Sequence, residues 1–111
     1  MKLTTVYMIA ISLMLAVLAP PAIAASAGAD IAAGSKLAEQ ACLRCHAVGR
    51  DDESTLAAAP PLRSFAAKWP LDNLEEALAE GIITGHPDMP EFKFAPKQIT
   101  DLLSYIQSIS P

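Results

Sequence analysis

Cys42-Leu43-Arg44-Cys45-His46 holds both cysteines of the chain and one of its two histidines. Two thiols three residues apart fall on one side of a single turn, and a histidine follows the second directly. This C-x-x-C-H order reads as covalent attachment of a c-type haem. The spacing lets Cys42 and Cys45 meet two neighbouring vinyl groups of one porphyrin, with His46 beneath the iron as an axial ligand. A disulfide or a thioredoxin-like redox pair are the other readings of C-x-x-C, but no βαβ pattern surrounds this one. Zinc ordinarily takes four ligands, and the chain has only two Cys and two His.

Upstream of the motif, Ile31 to Ala41 reads as a helix. Asp30 can cap it, and Ile31, Leu37, Ala38 and Ala41 share a face. Gly34 is costly inside a helix, so a close helix crossing is expected there. Downstream, Arg50 to Ala58 is a polar loop whose charges are expected to be solvated. Pro60-Pro61 and Pro70 bracket a short segment with one or two helical turns. Asp72 is expected to cap a helix with Leu74, Ala77, Leu78 and Ile82 on one side and Glu75, Glu76 and Glu80 on the other, ended by Gly81 and Gly85. Pro87, Pro90 and Pro96 make Thr84 to Pro96 irregular. A last helix opens at Pro96, with Ile99, Leu102, Leu103, Ile106 and Ile109 recurring at steps of three and four. No strand is evident, so the expected class is all-α.

The chain has 111 residues and a formal net charge of −4, enough for one small domain. Its start is a separate unit. Lys2, the apolar run Val6 to Leu18, Pro20-Pro21 and the small residues Ala22 to Ala27 follow the order of a secretory signal peptide. Cleavage is expected after Ala24, with Ala27 the next choice, leaving residues 25–111 as the domain. The apolar run is shorter than the ~20 residues of a membrane span, so no span is expected after cleavage. The remaining 87 residues carry seven Lys and Arg against twelve Asp and Glu. That acidic balance excludes nucleic acid, which calls for a basic patch, and favours a partner with a basic face. So small a domain is marginal by itself, and a large apolar cofactor inside it would add core.

The second axial ligand must come from elsewhere in the chain or be absent. Met1, Met8 and Met14 lie in the export segment, which leaves Met89 as the one methionine of the domain. It stands between Pro87 and Pro90, whose rings stiffen the loop; a stiff loop suits a ligand that must hold in both oxidation states. A lone methionine can also be core filler. His86 is the rival ligand, followed directly by Pro87. A His/Met pair would raise the reduction potential.

At this point a family likeness is on the page. The chain resembles the small bacterial class I cytochromes c from Gly34 to Ile109. The match runs through the C-x-x-C-H motif, Gly34 and Leu37 ahead of it, Pro60-Pro61-Leu62, Met89-Pro90, and Tyr105 in the last helix. The resemblance implies three to five short helices wrapped around one covalently bound haem c, with the first and last helices crossing where Gly34 meets Tyr105. It implies that the Pro60 carbonyl accepts a hydrogen bond from His46 and that Leu62 packs on the haem. Ala59 stands where the family often has glycine, which leaves Pro60 and its neighbour as alternative acceptors. Trp69 reads either as core or, by the same likeness, as a donor to a haem propionate. Phe92 and Phe94 alternate beyond Met89, and at least one is expected on the methionine side of the haem.

The function expected is a periplasmic electron carrier, monomeric, whose iron cycles between ferric and ferrous while exchanging electrons with a redox donor and acceptor. No separate catalytic constellation is evident. Two alternatives stand beside it. One is the haem subunit or electron-accepting partner of a periplasmic dehydrogenase or oxidase; the other is a haem enzyme or gas sensor with an open iron position.

Overall fold

The computed structural model describes residues 28–82 and 88–111. Residues 1–24, read above as an export segment, lie outside the described residues, as do Gly85 and His86, the alternative ligand. Asp30 is extended, and its carboxylate accepts from Ala33 N at 3.0 Å, which satisfies one of the free amides opening α1 (Ile31–Ala41). An irregular stretch follows, then a 3-10 turn (Leu62–Ser64) that runs into α2 (Phe65–Lys68). The last two elements are α3 (Leu71–Glu80) and α4 (Pro96–Ile109). The domain is all-α, with no strand among the described residues.

The opening of α3 differs from the expectation. Pro70, not Asp72, occupies the N-cap, and Asp72 sits inside the first turn. Proline cannot continue α2, while its fixed φ suits an entry into the next helix. Asp72 still favours the helix from there, at the positive end of its dipole. Gly81 ends α3 with φ +105°, and its N–H closes on Ala77 O at 2.9 Å. The chain then returns along the end of α3, where Phe94 N donates to Leu78 O at 3.0 Å. α4 opens on Pro96, and Gln98 Oε1 accepts from Ala95 N at 2.9 Å.

The centre of the fold is the crossing of α1 and α4. A Cβ built on Gly34 would lie 2.0 Å from Asp101 O and 2.8 Å from Tyr105 Cβ, so only glycine allows this approach. Asp30 N donates to Asp101 Oδ1 at 2.8 Å, and Lys97 pairs with the same oxygen. Those partners, the Asp30 amide first, compensate a carboxylate that is buried and hold it below its ordinary range. Ala38, Val48 and Leu62 join Ile99, Leu102, Leu103, Ile106 and Ile109 in one core. Leu71, Leu74 and Leu78 reach that core from α3, yet none of the helix is fully buried. Among the described residues no helix is long and apolar enough to cross a membrane.

Candidate haem site

The C-x-x-C-H motif leaves α1 without a break. Cys42 N and Leu43 N both close on Ala38 O, at 2.8 and 3.2 Å. Cys45 N and His46 N then close on Cys42 O at 3.1 and 2.9 Å. One tight turn therefore carries both sulfurs and the imidazole. Both cysteines are free thiols and partly exposed. Cys42 leans on the core, and burial pushes its thiol up to about 11. It is thus a neutral thiol across the physiological range.

His46 Nδ1 lies 2.7 Å from Pro60 O. A carbonyl only accepts, so Nδ1 carries the proton and Nε2 of the neutral ring keeps its lone pair. The bond fixes tautomer and ring orientation together and raises the basicity of Nε2. Two further contacts hold the ring and its acceptor. Leu62 N donates to Ala47 O at 2.9 Å, which binds the proline segment to the residue after His46. Phe65 meets the imidazole edge to face, with centroids 5.8 Å apart.

The loop after His46 is built around Asp52 and Ser54, and Asp52 and Arg50 depart from the expectation of solvated charges, while Asp51 and Glu53 are exposed. Asp52 accepts from Val48 N and Gly49 N, both at 2.9 Å, and Ser54 Oγ accepts from Ala47 N at 2.9 Å. Arg63 donates through Nη1 to Asp52 O at 2.8 Å and Gly49 O at 3.3 Å. Its guanidinium also pairs with the Asp52 carboxylate at 3.4 Å. Desolvation alone would raise the Asp52 pKa, but the two backbone donors and Arg63 hold it below the usual carboxylate value. Tyr105 Oη donates to Val48 O at 2.6 Å, and Arg50 donates to Ser108 O. The loop is tied to α4 at two points.

Cys42, Cys45, His46, Pro60 and Leu62 come together in one region, with Leu62 only 2 % exposed in the core. Trp69 is 43 % exposed and outside that core, so packing inside it is not its role. Its ring stands perpendicular to Phe65, with centroids 5.3 Å apart, and Lys68 Nζ lies 5.9 Å from its centroid. Met89 is half-buried in a bend that Pro90 ends. Phe92 and Phe94 stack with centroids 5.5 Å apart, and Phe94 is the one that reaches the core. Phe65, Asp52, Ser54 and Arg63 were not singled out from the sequence. The spacing of Phe65 and Trp69, four residues apart, was the available sign of their contact. For Asp52 it was the tendency of Asp to bond amides close by in the chain.

Helices crossing at a glycine, a C-x-x-C-H turn leaving the first of them, and an imidazole held by a proline carbonyl together define a c-type cytochrome domain. The family described as cytochrome C oxidase, cbb3-type, subunit III matches residues 29–106, and the chain belongs to that family of c-type cytochrome domains. No curated protein and no solved structure matches it. Membership brings a covalently bound haem c with its iron. The residues present fit that group. Two free thiols on one turn would serve two thioether bonds, and an imidazole whose Nδ1 is engaged by Pro60 O would offer Nε2 to the iron.

Proposed function

We propose that the chain is a monohaem c-type cytochrome that carries electrons in the periplasm. Cys42 and Cys45 hold the haem, and His46 and Met89 are the axial ligands of its iron. The bond from His46 Nδ1 to Pro60 O carries this reading, because it presents Nε2 as the free ligand atom of an imidazole that cannot turn. When bound, haem c supplies a one-electron couple. The chain's own work is to hold the ring still, keep a proton on Nδ1, and cover the porphyrin with apolar side chains. Trp69 and Phe92, which keep exposed surface, are its proposed neighbours, whereas Leu62, expected there by the family likeness, is covered by the protein core. Met89 is supported by being the sole methionine beyond the export segment and by the prolines on either side of it. Residues 1–24 direct export and are removed, and residues 25–111 act as a monomer.

The partner presents a basic face. Support comes from the seven Lys and Arg against twelve Asp and Glu in residues 25–111 and from α3, where Asp72, Glu75, Glu76 and Glu80 are exposed and no Lys or Arg is present. One observation favours a second reading, in which the chain is the haem subunit of a larger oxidoreductase: the family carries the description of an oxidase subunit. Co-purification with a larger polypeptide at fixed stoichiometry distinguishes the two.

The test of ligation is spectroscopic. The full chain is produced with haem-maturation machinery, and oxidised and reduced spectra are recorded for wild type and Met89→Ala. Covalent haem with a far-red iron–sulfur band, lost in the variant, is the expected result. Covalent haem without that band in wild type overturns Met89 and directs attention to His86 or an open position. No covalent haem overturns the proposal.

A further inference from the structure

We infer that Arg63 and Asp52 are positioning residues for the axial histidine, forming a strut that sets the His46–Pro60 hydrogen bond and with it the reduction potential. The inference rests on His46 being an iron ligand, as proposed above, and extends that reading to two residues with no contact to the ring.

The ring and its acceptor come from different segments. His46 is on the turn leaving α1, and Pro60 stands just ahead of the 3-10 turn, fourteen positions on. A bond of 2.7 Å between them requires the two segments to keep their spacing. On one side of this bond Leu62 N donates to Ala47 O at 2.9 Å. The other side is the strut. Arg63 follows Leu62 directly and reaches back across the gap to Gly49 O and Asp52 O at 3.3 and 2.8 Å. Asp52 in turn folds the chain after His46 into a closed loop by taking the Val48 and Gly49 amides. A Cβ at Gly49 would lie 3.0 Å from Asp52 Oδ1, so the glycine gives the carboxylate its room. Arg63 therefore holds a loop that Asp52 has made rigid, and the pair clamps His46 to Pro60. Both side chains are partly exposed, at 24 % and 40 %, so the ion pair alone contributes little to stability. What the pair supplies is registry between the segments.

The consequence for potential has a sign. A short Nδ1–H bond to a carbonyl makes the imidazole a stronger electron donor, which favours the ferric state. Loosening the strut lengthens that bond and raises the potential. A plain field effect behaves differently. Removing the cation at Arg63 would lower the potential, and removing the anion at Asp52 would raise it. The two mechanisms thus disagree on Arg63.

The experiment uses haem-loaded full chain, wild type beside Arg63→Gln, Asp52→Asn and Arg63→Lys. Midpoint potential is measured by redox titration, and solvent exchange of the His46 ring N–H by proton NMR of the ferrous form. Arg63→Gln and Asp52→Asn are both expected to raise the potential. Both are expected to speed ring N–H exchange on the order of tenfold, as the loss of one hydrogen bond implies. Arg63→Lys is expected to restore wild-type values, because all the contacts of Arg63 run through Nη1 and a single ammonium can replace it. Shifts of opposite sign for the two charge-removing variants, or unchanged ring N–H exchange, overturn the inference. If Arg63→Gln does not load haem, Asp52→Asn and Arg63→Lys decide the question by the same two readings. Wild type without an iron-bound His46 would instead mean that the ligation reading itself has failed.

Discussion

Replacing Gly34 by alanine tests the packing on which the whole domain depends. Nearest to the new methyl would be Asp101 O at 2.0 Å, Asp101 C at 2.6 Å and Tyr105 Cβ at 2.8 Å. Carbon–oxygen contacts settle at about 3.3–3.6 Å, so α1 and α4 must part by more than an ångström. The obstruction is backbone, which no rotamer change can clear. Overpacking of this kind costs about 1–3 kcal/mol and at times more. Two hydrogen bonds depend on the crossing, Asp30 N to Asp101 Oδ1 at 2.8 Å and Tyr105 Oη to Val48 O at 2.6 Å. Weakening them adds about 1 kcal/mol, while helix propensity returns about the same amount. The net loss is about 1–3 kcal/mol, or roughly 5–25 °C in Tm for a domain of this size. Thermal unfolding of the haem-loaded protein, followed by far-ultraviolet circular dichroism, measures it. Ala33→Gly serves as the control, since Ala33 is exposed on the same helix and should cost only about 1 kcal/mol. Tyr105→Ala should not rescue Gly34→Ala, because the clashing Cβ and carbonyl both remain. A Gly34→Ala protein that melts with wild type would refute the reasoning.

Acid should unfold the domain partly through Asp101 and Asp52, whose carboxyls lie below the ordinary 3.8 in the folded state. The unfolded chain then binds protons more readily, so stability present above that value is lost as pH falls through the folded pKa; urea midpoints should drop more steeply with acid in wild type than in Asp101→Asn. Gly81→Ala should cost about 1–2 kcal/mol, because φ +105° suits only glycine and the new methyl would meet Glu91 Oε1 at 2.2 Å; an unchanged denaturant midpoint would remove strain from the account. Electron exchange with a basic redox protein should slow with added salt, given the net charge of −4; a rate indifferent to ionic strength would argue against charge steering.

Much of this domain is local in origin and could be read directly. The C-x-x-C-H turn depends on spacing over five residues, and the apolar face of α4 on a period that survives in any helix of that composition. Asp30 caps α1 through an amide three residues away. Gly34 and Tyr105 could be paired only through a family likeness, since nothing local joins positions in the first and last helices. The opening of α3 was misplaced by a short distance because proline and aspartate both mark helix starts, and the ring decided between them.

Long-range geometry lies elsewhere. Which carbonyl receives the His46 proton is a question about two segments fourteen positions apart, and packing chose Pro60. Arg63 and Asp52 look like ordinary surface charges in separate segments until the fold brings one against the other. Trp69 stays outside the core although its size argued for burial; its ring packs edge to face on Phe65, which in turn meets His46. The sequence by itself pointed to haem c, since two thiols and an imidazole at this spacing read as c-type attachment. Only the tertiary structure decided how the imidazole is held, because a hydrogen bond between distant segments depends on where packing leaves them.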